Sequence, residues 1–194
     1  GIATDRDKDG DPDLLVLADR AEVNLFLRND TRSSLDFTND AASLGADLLA
    51  AAMGVDSADL NQDGWLDYCY TDTTDPWCLL SQGKASYVEG AHSIGLYPRI
   101  PANDLHDTVG WSLEIQDLDN DGFIDAVQAS GRCTSHRIEQ PPELVYPDLL
   151  WQGSPTGFVE ATDQVGFGDT EDHFAAITAD INQDGALEIL VGGV

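Results

Sequence analysis

Short runs of apolar, mostly β-type residues recur along the chain, each cut off by turn residues. Leu14–Leu17, Tyr68–Tyr70, Ala126–Ala129 and Ile189–Val191 form one matched set. After a turn comes a second set, Val23–Arg28, Trp77–Ser81 and Asp148–Gln152. Three members of the first set are preceded by a candidate strand built around one large apolar residue: Met53, Trp111 or Phe174. Its neighbours are small, among them Gly54, Gly110 and Ala175. Small neighbours let backbones approach closely. A last segment keeps a nine-residue frame, Phe37–Gly45, Tyr87–Gly95 and Phe158–Gly166. An aromatic leads each frame, Ala or Thr stands fifth, and an aliphatic–Gly pair closes it.

Four short strands per repeat predict an all-β chain, a β-propeller of four-stranded antiparallel blades. The repeats fall at approximately 1–49, 50–108, 109–172 and 173–194 of one 194-residue domain. The pattern counts strands two to four of a first blade, two complete blades, and strands one and two of a fourth. The chain would thus cover about three to four blades. The stretches 97–108 and 132–147 are longer connections, rich in Pro, polar residues and His, expected together on one face. Loops on a rigid scaffold are where binding usually sits.

The connection between the first and second strand of each repeat carries the chemistry. Oxygen side chains stand at positions 1, 3, 5 and 9, with Gly at 6: Asp5, Asp7, Asp9, Gly10, Asp13; Asp59, Asn61, Asp63, Gly64, Asp67; Asp117, Asp119, Asp121, Gly122, Asp125; Asp180, Asn182, Asp184, Gly185, Glu188. Carboxylates this close repel unless a cation joins them. Ca²⁺ takes six to eight oxygens at about 2.3–2.6 Å and tolerates irregular geometry. The glycine permits the sharp turn that returns position 9 to the metal. By analogy with other calcium loops, the position-7 carbonyl (Asp11, Trp65, Phe123, Ala186) completes the set. Up to four Ca²⁺ are therefore expected. An EF-hand is excluded, because position 12 is Val16, Tyr70, Gln128 or Val191 and the flanks read as strands. Loops two and four hold three carboxylates against four and should bind more weakly.

Composition sharpens this picture. The hydrophobic fraction of 42% supports a packed core. The formal charge is −27, and four Ca²⁺, carrying eight positive charges, would reduce it to −19. Such acidity argues against nucleic-acid and anionic-membrane partners; it would also suit a high-salt habitat. No run of about 20 apolar residues exists to insert in a membrane. The first loop begins four residues after Gly1, which suggests a processed or partial chain. Weak multi-calcium sites need millimolar Ca²⁺ and point outside the cytosol.

Cys69 and Cys78 flank a turn-rich segment and could bridge if their strands pair; three buried thiols are the alternative, and Cys133 is left over. Nucleophile-elbow, zincin, phosphate-loop and Cys-x-x-Cys patterns are absent. His106 and His136, near Asp104, Asp107 and Glu139, are the only suggestion of a further metal or acid–base site. Solvated polar loops explain them as well. His92 and His173 read as structural.

The loop pattern, placed between the first two strands of a four-stranded repeat, resembles the FG-GAP/VCBS repeat. That repeat is the calcium-bearing blade of integrin-alpha-type β-propellers. Asn24–Asn29, with Phe37 and Gly45 downstream, is similar to the secreted branch that includes cartilage acidic protein. The resemblance implies an extracellular, cell-surface or periplasmic module for adhesion, surface assembly or protein and carbohydrate contact, and it is not specific for activity. The metals read as structural, and no residue reads as catalytic. Scaffold or catalytic domain of a polysaccharide-active, lyase-like enzyme is the alternative, as is a structural subunit of an extracellular assembly. Family propellers have about seven blades. An open arc would expose apolar faces and strand edges. More of the same polypeptide, a second copy or another chain would cover them.

Overall fold

A computed structural model describes residues 1–73, 75–98, 108–132, 147–169 and 171–193. Its strands form antiparallel sheets of one design. The first sheet orders β1 (Ile2–Thr4), β2 (Asp13–Val16), β4 (Leu25–Asn29) and β5 (Phe37–Asn39) side by side. Between them β3 (Asp19–Val23) leaves the sheet and pairs with β6 (Leu49–Ala51). The second sheet is β7 (Val55–Ala58), β8 (Asp67–Tyr70), β9 (Trp77–Ser81) and β10 (Tyr87–Glu89). The third is β11 (Thr108–Gln116), β12 (Asp125–Arg132), β13 (Leu149–Gln152) and β14 (Val159–Glu160). β15 (His173–Ala179) and β16 (Glu188–Gly193) make a two-stranded fourth sheet. Consecutive four-stranded antiparallel sheets give a propeller-like all-β fold.

Three expectations are corrected. The first repeat has its inner strand, because Ile2–Thr4 pairs with Thr4 opposite Asp13 and completes a four-stranded sheet. Val23 belongs to β3 and not to the third strand of the sheet, which starts at Leu25. The nine-residue frame is a short strand followed by one helical turn: α1 (Ala41–Leu44), a 3₁₀ turn (His92–Ile94) and α2 (Thr162–Val165). The closing Gly45, Gly95 and Gly166 adopt φ of 69°, 81° and 70°, the left-handed cap that ends a helix. The fifth residues, Ala41, Ala91 and Thr162, are buried. Phe37, by contrast, is exposed at the outer rim of the first sheet.

The core lies between sheets. Side chains alternate faces along a strand, so Tyr68 and Tyr70 join Leu15 and Phe26 of the first sheet, while Cys69 joins Ile115, Ala126 and Trp151 of the third. Val127, Ala129 and Leu150 pack on Ala176 of the fourth sheet. Cys69 and Cys78 are cross-strand partners joined by a disulfide, Cα atoms 4.1 Å apart. Closing so short a loop adds about 3 kcal/mol in the chain-entropy account. Cys133 lies outside the described residues, as do His106 and His136.

Inner strands approach closely, as the small residues suggested. A Cβ on Gly54 would meet Ser112 Cα at 2.6 Å. Trp111 and Phe174 sit where the ladders of β11 and β15 are interrupted by bulges, and their rings meet edge-on at 5.3 Å. Between inner strands, Asp56 Oδ2 of β7 accepts the Ile115 amide of β11 at 2.8 Å, and Glu114 Oε2 of β11 accepts the Thr178 hydroxyl of β15 at 3.4 Å. No helix among the described residues is long and apolar enough to cross a membrane.

Two outcomes follow. Gly166 has open space at its Cβ, so Gly166→Ala should cost about 1–2 kcal/mol of left-handed strain. Gly95→Ala should cost clearly more in urea unfolding, because its Cβ would also meet the Phe158 carbonyl at 2.3 Å. Burial, then repulsion from Asp56, raises the Glu114 pKa above its ordinary 4.5. The native state therefore binds this proton more tightly than the unfolded chain, and stability falls as pH rises through that window. Glu114→Gln should stabilise the protein near pH 7 and lose that advantage below pH 4.5.

Candidate metal corners

Each oxygen-rich loop forms the corner between the inner two strands of its sheet, and the four share one hydrogen-bond plan. The position-1 carboxylate spans the turn: Asp5 accepts the amides of Asp9 and Gly10, Asp59 those of Asp63 and Gly64, Asp117 those of Asp121 and Gly122, and Asp180 those of Asp184 and Gly185. Position 5 accepts the position-7 amide, so Asp9, Asp63, Asp121 and Asp184 hold Asp11, Trp65, Phe123 and Ala186. Position 4 and position 6 both need positive φ: Lys8, Gln62, Asn120 and Gln183 lie at 58–64°, the glycines at 87–97°.

Position 9 has a role that the ligand pattern did not reveal. Asp13, Asp67 and Asp125 are at most 3% exposed. One oxygen of each accepts the position-2 amide (Arg6, Leu60, Leu118) and the other an amide at the far end of the third strand (Asn29, Ser81, Gly153), at 2.7–3.1 Å. The carboxylate thus ties corner, second strand and third strand together. Glu188 keeps the first bond, to Ile181, and accepts the Asn182 amide at 2.7 Å. Burial pushes Asp67 up to about 6, with Asp63 and Asp59 adding to the rise and the Ser81 and Leu60 amides opposing it. Asp13 and Asp125 are also raised, chiefly by burial. A dication beside them favours the ionised form and reverses this.

Two corners gather three carboxylate oxygens within 4.8 Å: Asp5, Asp7 and Asp9, and Asp117, Asp119 and Asp125. Corners two and four, with Asn61 and Asn182 at position 3, form no such triad among the described residues. Asn61 instead donates to Asp63 at 3.2 Å. In corners two to four, position 3 accepts the position-5 amide at 2.8–3.1 Å. Asp7 does not. It is 8% exposed, and its Oδ1 is buried with no hydrogen-bond partner. An unpartnered buried carboxylate oxygen is costly. Lys84 Nζ, 3.4 Å from the other oxygen, offsets part of that charge. The donors at these corners are hard oxygens, and Asp7 of the first triad carries an orphan oxygen. The residues present therefore fit a hard divalent cation, held by Asp5, Asp7 and Asp9, and by Asp117, Asp119 and Asp125.

A further contact joins successive corners. The position-4 side chain of one donates to the position-6 glycine carbonyl of the next: Lys8 to Gly64, Gln62 to Gly122 at 3.1 Å, and Asn120 to Gly185 at 3.1 Å. Lys8 also lies over the Trp65 ring, 4.4 Å from its centroid. Both lysines of the chain bridge the first two sheets, since Lys84 reaches back to the Asp7 carbonyl at 3.3 Å. The sequence signal was present. All four position-4 residues carry an amine or amide donor.

Residues 5–70 match the FG-GAP-like repeat. The matched FG-GAP-like segment runs from the first corner through the first sheet and second corner to the end of β8, one repeat plus the corner of the next. No curated protein matches the chain. The histidines with described surroundings have structural contacts: His173 Nδ1 bonds the buried Asp148 at 2.6 Å, and His92 pairs with Asp75 at 3.0 Å and stacks on Tyr97.

The two parts of the motif separate in chelator. Asp125→Ala should destabilise the calcium-free protein by about 2–4 kcal/mol, because two amides lose their acceptor. Asp121→Ala, at an exposed position, should cost less than about 1 kcal/mol there. Urea unfolding in EDTA compares them.

Proposed function

We propose that the chain is a calcium-stabilised module of propeller type, working outside the cytosol, whose rigid corners support loops that contact a protein or carbohydrate ligand. Its metals are structural. The observation that carries this reading is that Asp7, a member of the Asp5–Asp7–Asp9 triad, has a buried Oδ1 with no hydrogen-bond partner among the described residues. No described residue donates a hydrogen bond to that oxygen, and Ca²⁺ is the abundant hard cation that accepts irregular oxygen sites. The Asp117–Asp119–Asp125 triad offers a second site. The Cys69–Cys78 disulfide supports an oxidising compartment. The match to a repeat family that is typically non-catalytic supports binding over turnover.

Thermal unfolding in calcium and in EDTA tests the metal. Free Ca²⁺ at a hundredfold excess over its dissociation constant adds about 2.7 kcal/mol per site that only the folded state binds. The melting temperature should rise accordingly, and Asp7→Ala should remove one site's share. Superimposable curves contradict the reading. For the ligand, glycan and protein arrays probed in calcium should return binding without turnover. Cleavage of an acidic polysaccharide would move the assignment to an enzyme.

A further inference from the structure

The corner needs an oxygen donor at position 5 and a left-handed turn at position 6. The chain meets both needs with one pair each time: Asp9–Gly10, Asp63–Gly64, Asp121–Gly122 and Asp184–Gly185. These are all its Asp–Gly pairs. Before glycine, an aspartate is most open to attack on its side-chain carboxyl carbon by the next backbone amide, because no side chain stands in the way. The surroundings add no obstacle. Both residues of every pair are exposed, and a Cβ built on Gly10, Gly122 or Gly185 would meet no atom within 4 Å.

Hydrogen bonds hold the reacting groups apart. The attack needs a glycine amide free to give up its proton and a position-5 carboxylate free to turn onto it. The glycine amide instead donates to the position-1 carboxylate at 2.7–3.0 Å. The position-5 carboxylate accepts the position-7 amide at 2.8–3.0 Å. In corners two to four the glycine carbonyl is also held by the position-4 side chain of the corner before. A cation on the clustered oxygens would fix the position-1 acceptor in place, and in the first triad it would hold Asp9 itself.

We propose that the four Asp–Gly pairs are modification sites, which convert to isoaspartate when the cation and the hydrogen bonds that hold the corner are lost. The glycine nitrogen bonds to the aspartate Cγ. One carboxyl oxygen leaves as water, taking the amide proton and a proton from solvent, and a five-membered imide remains. Water then adds to the main-chain carbonyl carbon, whose bond to the glycine nitrogen breaks, and the new acid returns a proton to solvent. Mass is unchanged. The backbone now runs through Cβ and Cγ and is one methylene longer between positions 5 and 6, so the corner cannot rebuild its bonds. Loss of the cation thereby becomes permanent. This inference rests on the calcium reading proposed above.

The test is incubation of the chain at neutral pH in calcium or in EDTA, below its melting temperature in each. Peptide mapping with electron-transfer fragmentation then distinguishes isoaspartate from aspartate at equal mass. Isoaspartate should accumulate at Asp9, Asp63, Asp121 and Asp184 in EDTA. Calcium should suppress it, most of all at Asp9 and Asp121, whose corners hold the triads. In EDTA, Gln62→Ala should speed conversion at Asp121 about fivefold, because the Gly122 carbonyl loses its donor. Asp184 in the same sample should keep its wild-type rate, whereas general unfolding would speed both. Calcium restored after conversion should not recover the melting temperature. Absence of isoaspartate in EDTA overturns the proposal, as does a Gln62→Ala rate at Asp121 equal to wild type. Equal conversion in calcium and EDTA also overturns it. If calcium still raises the melting temperature, the metal reading stands and this inference alone falls; if the melting curves superimpose, both fall.

Discussion

Three carboxylates converging within 4.8 Å at a strand corner repel one another, and the rest of the structure depends on how that repulsion is relieved. The chain contains 36 acidic residues against nine Lys and Arg, so its own cations cannot do it. Part of the answer is local. Backbone amides of the turn point at the position-1 and position-5 carboxylates and spread their charge over several donors. At the first corner this runs short, because Asp7 has one oxygen near Lys84 and one with nothing. On the proposed reading, a bound dication would supply what the amides do not.

The motif therefore does more than offer ligands. Position 9 fastens the corner to the third strand, position 6 allows the turn, and position 4 reaches the next corner. A corner disordered by loss of its cation would loosen its own sheet through position 9 and its neighbour through position 4. That coupling explains why the core can sit between sheets, where each aromatic, such as Tyr68 or Trp151, depends on the spacing of two sheets at once. The corners set that spacing at one end, and the close approach of Gly54 to Ser112 sets it along the inner strands.

Much of this is legible in the residues, and what is not has physical reasons. The corners are readable because all their ligand types fall within nine consecutive positions. The outer frame is readable because Ala41, Ala91 and Thr162 must be small and Gly45, Gly95 and Gly166 must turn left-handed. Its helical turn is not, since four residues are too few to show a helical period. β1 has three residues and no flanking signal. β3 pairs with β6 more than 25 residues away, through polar positions that carry no alternation. The position-9 bonds are long-range and look identical to metal ligation in the sequence. The position-4 contacts escape because Lys, Gln and Asn share only a donor, and their acceptor is a carbonyl in another repeat.

Counting bound metal is the most direct test of the corner account. Equilibrium dialysis of the purified chain against calcium should show saturable uptake of at least two ions, matching the Asp5–Asp7–Asp9 and Asp117–Asp119–Asp125 triads. Asp7→Ala should lose one of them and Asp119→Ala the other. No saturable uptake in millimolar calcium, or a count that neither substitution changes, would contradict it.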